Sequence, residues 1–109
     1  MRRVEKPWGW ELIWAETDQY VGKLLHINAG QRLSKQYHKV KEETVYVITG
    51  VLYNYDENDK VQKFMPNEAF HVVPEQVHRF GAGPTPVEVI EVSTPHLDDV
   101  VRLADDYKR

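Results

Sequence analysis

The chain has 109 residues, and 14 Lys and Arg against 17 Asp and Glu leave a formal net charge of −3. That length supports one domain over residues 1–109 but not two cores, and the charge balance offers no basic face for nucleic acid. There is no cysteine, which excludes disulfides and thiol catalysis and makes the reducing cytoplasm the expected compartment; no apolar run approaches the roughly 18 residues of a membrane span, and the start M-R-R-V-E-K-P-W has no leader-like apolar segment.

Short β-prone runs separated by turn residues fill the chain, with no sustained helical period. Strands are predicted over 11–14, 20–27, 32–38, 44–49, 51–55, 61–65, 69–73, 78–80 and 87–92. The P-W-G at 7–9 and G-A-G-P-T-P at 81–86 read as loops, and N-Y-D-E-N-D-K at 54–60 as a polar hairpin tip. The tail over 97–109 is predicted to be a short helix or an irregular segment outside the barrel, with Asp98 and Asp99 near its start where a helix dipole favours them. The fold class that follows is all-β.

The chemistry is concentrated between Gly30 and Gly50, in G-Q-R-L-S-K-Q-Y-H-K-V-K-E-E-T-V-Y-V-I-T-G. Residues i and i+2 of a strand share a face, so Gln36 and His38 can reach one point while Tyr37 cannot. After a polar turn, Glu43 begins the next strand and can close on that point if the two strands pair. His78, in V-P-E-Q-V-H-R-F, must arrive from a remote strand, which a closed all-β fold permits. Two imidazoles, one carboxylate and one amide suit a single divalent first-row metal, with Zn, Mn, Fe, Co and Ni all open. A His and Glu five residues apart would by themselves more often mark a surface turn; the bracketing glycines and His78 favour the site.

Gly30, Gln36, His38, Glu43 and Gly50 match the first motif of the cupin superfamily at every spacing, with Gln36 where many cupins carry a first His; of the second motif only His78 matches. More narrowly, K-P-W-G-W-E at 6–11, G-Q-R-L-S-K-Q-Y-H at 30–38, V-E-V-I-E-V at 87–92 and D-D-V-V-R-L-A-D-D-Y-K-R at 98–109 resemble the cupin domain of mannose-6-phosphate isomerases, in particular the C-terminal domain of the bifunctional type. The resemblance implies a double-stranded β-helix, or jelly-roll, barrel and a metal held by Gln36, His38, Glu43 and His78. Lys39 and Val40 depart from the His-rich stretch that often follows the metal His, and Glu75 replaces a turn glycine.

Other pocket candidates follow from alternation. Arg32 shares parity with Ser34, Gln36 and His38 and is a phosphate-binding candidate, or else a rim salt bridge. Lys23 alternates with Val21, Leu25 and Ile27; it is either an ammonium on an apolar face, suited to acid–base work, or a strand-end lysine reaching water. Glu75 is a second candidate base, or a solvated turn charge. Trp8, Trp10 and Trp14 are pocket walls or core plugs. Leu33 and Tyr37, with Val45 or Tyr46, are expected on an outward apolar patch that a homodimer would cover.

Three functions are consistent with these residues. The first is a metal-dependent isomerase of a sugar or sugar phosphate, which moves a proton between adjacent carbons through an enediol. The second is a cupin that binds metal and a small molecule without turnover. The third is an Fe(II)-dependent oxygenase, which the mannose-isomerase landmarks at both ends disfavour.

Overall fold

A computed structural model describes residues 1–108. It contains eleven strands among the described residues: β1 (Arg2–Lys6), β2 (Gly9–Glu16), β3 (Val21–Ile27), β4 (Lys35–Tyr37), β5 (Glu43–Thr49), β6 (Leu52–Tyr55), β7 (Val61–Phe64), β8 (Ala69–Val72), β9 (Phe80–Ala82), β10 (Val87–Ser93) and β11 (Val101–Ala104). One layer is a six-stranded sheet in the order β1-β2-β3-β10-β5-β8. The other is built from the β7-β6-β9 sheet and the β11-β4 pair, joined by the antiparallel bridges Arg32↔Gly81 and Gln36↔His78. All strand pairings are antiparallel. No helix among the described residues is long and apolar enough to cross a membrane.

The all-β barrel expected from the sequence is the one the chain forms, because residues of one parity converge on the interior. On β10, Val87, Val89, Glu91 and Ser93 are buried; on β3, Val21, Lys23, Leu25 and Ile27; on β5, Glu43, Val45 and Val47. Register then sorts this interior into two ends. Val87 lies opposite Ile27 and Val89 opposite Leu25, whereas Glu91 lies opposite Lys23 and Ser93 opposite Glu43. Leu52, Phe64, Val72 and Phe80 close the apolar end, each such side chain contributing about 1.5–3 kcal/mol on full burial. The charged end is left lining a cavity.

Several expectations are corrected. The tail forms no helix: β11 pairs with the edge of β4, Val101 opposite Tyr37 and Arg102 opposite Gln36, since an unpaired edge beside β-branched Val100 and Val101 is better satisfied by a strand. Arg109, the end of that segment, lies outside the described residues. The strand predicted over 32–38 is regular only across β4, and the one predicted over 78–80 starts two residues later as β9, with His78 in an isolated bridge. β1 was not expected from R-R-V-E-K, which has no apolar alternation; it forms by extending the sheet from the edge of β2.

The two glycines that bracket the ligand segment do different work. Gly50 has φ +79°, and a Cβ there would lie 2.3 Å from the Pro86 carbonyl oxygen; Gly30 has φ +73° with nothing within 4 Å. Gly30→Ala should therefore cost only the left-handed backbone strain, about 1 kcal/mol, whereas Gly50→Ala should cost about 3 kcal/mol or more because β10 must shift. Chemical denaturation of the two variants checks this, and equal losses would refute the steric account.

Candidate metal centre

His38 leaves the end of β4 and Glu43 opens β5; the two strands do not pair as expected, and a four-residue turn instead carries the chain from the β11–β4 pair into the six-stranded sheet. His78 is brought in by the bridge to Gln36: Gln36 N–H donates to His78 O at 3.0 Å and His78 N–H to Gln36 O at 2.9 Å. All three side chains are buried, His78 completely so at 0% exposure. His38 Nε2 is 3.2 Å and His78 Nε2 3.1 Å from the same oxygen, Glu43 Oε1. The three ligand atoms lie within 4.8 Å of one another.

The other nitrogen of each ring decides what this cluster can hold. His38 Nδ1 is 2.5 Å from Asp99 O, and His78 Nδ1 is 3.0 Å from Gln76 O. A carbonyl only accepts, so each Nδ1 carries the hydrogen and each Nε2 of the neutral ring presents a lone pair. Two lone pairs and a carboxylate oxygen then face one buried point, and His78 Nε2 has no hydrogen-bond partner. Three converging acceptors need a cation among them, which is the arrangement a metal-ligating His–Glu–His set presents, with both rings oriented by carbonyls behind them. The residues present thus fit a divalent metal ion. Gln36 lines the same cavity.

Around the cluster runs a buried chain of charges. Lys41 Nζ is 3.6 Å from Glu43 Oε2 and 3.2 Å from Glu91 Oε2; farther along the wall, Lys23 Nζ is 3.3 Å and Lys6 Nζ 3.8 Å from the Glu11 carboxylate. Burial alone would raise the Glu43 carboxyl, but a hydrogen bond from Glu91 and the charge of Lys41 hold it well below the usual carboxylate range. Burial also opposes the Lys41 ammonium, yet Glu91 and Glu43 outweigh it and raise its pKa. Two carboxylates cannot both be fully neutralised by one ammonium. Burial first, then the Glu43 charge, push Glu91 up to about 8 despite Lys41.

The cavity holds about 120 Å³. Four cations (Lys6, Lys23, Lys41 and Arg102) and three carboxylates (Glu11, Glu43 and Glu91) line it, so a divalent metal would make it distinctly cationic and selective for an anion. Trp8, Leu25, Leu33 and Phe80 supply an apolar wall.

Of the residues singled out in the sequence, Lys23 lines the cavity, paired with Glu11. Arg32 does not: it makes a two-bond pair with Asp106, Nε to Oδ2 at 2.7 Å and Nη2 to Oδ1 at 3.1 Å, and lies over the Tyr55 ring. The parity argument failed because residues 33 and 34 are not regular strand, so Leu33 as well as Ser34 turns to the cavity. Glu75 takes the second of its two readings, a solvated turn charge. It sits exposed in a turn at φ +70° and borders an outer depression with Tyr37 and Lys39 instead; only its backbone N–H reaches the site, donating to His38 O at 2.6 Å. The outward patch fails at two members, since Val45 is fully buried and Leu33 packs on the core. Of the tryptophans, Trp8 is core and cavity wall, Trp10 stacks on His26 outside, and Trp14 covers Gly22.

Glu11, Lys41, Glu91 and Arg102 were missed. Glu11 and Glu91 carried a signal, being charges at core parity with Ile13 and with Val87 and Val89. Lys41 and Arg102 carried none, because a turn and a tail have no alternation to read.

Residues 1–105 match the family model described as mannose-6-phosphate isomerase C-terminal. No curated protein matches the chain. Similar solved structures include an uncharacterized conserved protein with a double-stranded β-helix domain from Klebsiella pneumoniae, with TM-score 0.75 and 23% identity over 85% of this chain and 77% of that one. A cupin-like protein from Thermotoga maritima has TM-score 0.77 and 19% identity over 88% and 76% of the two chains. A sugar phosphate isomerase of the cupin superfamily from Silicibacter pomeroyi has TM-score 0.69 and 20% identity over 78% of this chain and 58% of that one. At such identities the likeness establishes the fold, the cupin jelly roll.

Proposed function

We propose, from the premise that this chain belongs to the mannose-6-phosphate isomerase C-terminal family, that it is a metal-dependent cupin isomerising a sugar phosphate. The observation that carries this reading is the convergence of His38 Nε2, His78 Nε2 and Glu43 Oε1 on one buried point, with both Nδ1 hydrogens committed to carbonyls. A divalent first-row metal held by His38, Glu43 and His78, with Gln36 beside them, would supply Lewis acidity toward a carbonyl or hydroxyl oxygen of the open-chain sugar.

The chain supplies the rest. Arg102 and Lys6 give the cavity cationic side chains that favour an anionic substrate. The Glu11–Lys23 pair is the proton-moving unit: the carboxylate takes the proton from one carbon and returns it to the adjacent one, while the ammonium protonates the carbonyl oxygen and takes back the proton of the neighbouring hydroxyl. Trp8, Leu25 and Phe80 add apolar surface to the lining.

Metal-loaded protein should convert mannose 6-phosphate to fructose 6-phosphate, and Glu11→Gln should lower kcat by about 100-fold or more while leaving metal content unchanged. The cavity volume favours a second reading, binding of a small anion without turnover, because 120 Å³ is well under the roughly 300 Å³ at which small-molecule pockets usually begin. Saturable binding of inorganic phosphate with no turnover of mannose 6-phosphate, using protein loaded in turn with Zn, Mn, Fe, Co and Ni, would select that reading and end the isomerase one.

A further inference from the structure

One segment walls part of the metal cavity without supplying a ligand. Leu97, Val100 and Arg102 form part of its wall. Between them, Asp99 spends its carboxylate on the turn that joins the two ligand-bearing strands: Oδ1 accepts from Lys39 N–H at 3.0 Å, and Oδ2 from Val40 N–H at 2.7 Å and Lys41 N–H at 2.8 Å. The same residue's backbone carbonyl accepts the His38 Nδ1 hydrogen. Both ends of the segment are tied elsewhere, Thr94 N–H to Glu42 O on one side and Asp106 to Arg32 and Arg79 on the other.

We propose that residues 97–100 are a strap along one wall of the metal cavity and that Asp99 is its latch, a positioning residue that turns His38 toward the metal. The inference rests on the metal-centre reading above. Closing the strap and aiming the ligand are then one event, because a single residue does both through its side chain and its carbonyl. With both ends tied, release of Asp99 would lift the middle of the strap rather than detach it. Lifting the strap would widen the mouth of the cavity for a sugar phosphate, and His38 loses its rear support as the strap lifts. Metal affinity and substrate entry are therefore opposed: metal holds the strap down, and an open strap weakens the metal.

Full-length Asp99→Ala and Asp99→Asn proteins, with Asp98→Ala as control, should be titrated with Co(II). The visible Co(II) band reports ligand geometry, and amide hydrogen exchange of 97–100 reports closure. Asp99→Ala should bind Co(II) about 10–100-fold more weakly, as removal of a ligand's outer support does, with an altered band. Its strap amides should exchange fast with or without metal. Asp99→Asn, which keeps one acceptor oxygen, should fall between, and it remains informative if the alanine variant folds poorly. Asp98→Ala should match the parent, whose strap amides should slow on metal loading. If the parent binds Co(II) and both Asp99 variants reproduce its affinity and band, the latch is refuted while the metal centre stands. A parent that binds no Co(II) refutes both.

Discussion

His78→Ala protein is expected to carry no first-row metal where the parent carries about one equivalent, with affinity reduced by well over the 100-fold that marks loss of an outer-shell support. His78 is the one ligand from outside the segment 36–43, it is fully buried, and its Nε2 has no partner but Glu43 and the cation the site calls for. The consequence reaches stability. Metal that binds only the folded chain stabilises it by about 2.7 kcal/mol at 100 times its Kd, so the parent's Tm should rise with added metal and the variant's should not. Removing one of three converging acceptors relieves crowding, so the metal-free variant should keep its fold, with loss confined to the cavity beside Phe80. Mass-spectrometric metal content and thermal unfolding with and without metal test this together. Retention of parental affinity in His78→Ala would remove His78 from the site.

Lys41→Met should be the most destabilising single change at the charged end of the barrel, by about 3–5 kcal/mol in the metal-free protein. Lys41 is the one ammonium that bridges Glu43 and Glu91, and above about pH 8, where Glu91 is ionised, its removal leaves two buried carboxylates facing each other. Bound metal supplies positive charge to Glu43 directly, so the loss should shrink on metal loading. A second replacement distinguishes charge from packing: Lys41→Met with Glu91→Leu removes the repelling pair and should recover most of the stability. Denaturant unfolding of parent, single and double variants, metal-free and loaded, gives the four comparisons. A single variant as stable as the parent would mean that Glu91 takes up a proton at little cost and that Lys41 serves the site rather than the fold.

What could be read along the chain was what depends on short sequence separation inside regular strands. Val87, Val89 and Glu91, or Glu43, Val45 and Val47, share a face because side chains alternate on a pleated backbone, so the barrel and the Gln36–His38–Glu43 group were legible from spacing, and His78 from its matching motif. The reading of Arg32 carried the same alternation through residues 33 and 34, which are not strand, and arrived at the wrong side of the wall. Glu75 was judged by closeness to His78 in sequence, but the turn at φ +70° carries its side chain outward.

The sequence by itself determined the all-β layering and the ligand types, since both follow from the period of the strand and the donor chemistry of the side chains. Only the tertiary structure decided which charges meet. The register of β10 against β3 and β5 puts Glu91 beside Lys23 and near Glu43, and the pairing of β11 with β4 draws Asp99 onto His38 from 61 positions away. Such contacts depend on how remote strands align and where a tail finds an open edge, and no local pattern encodes either.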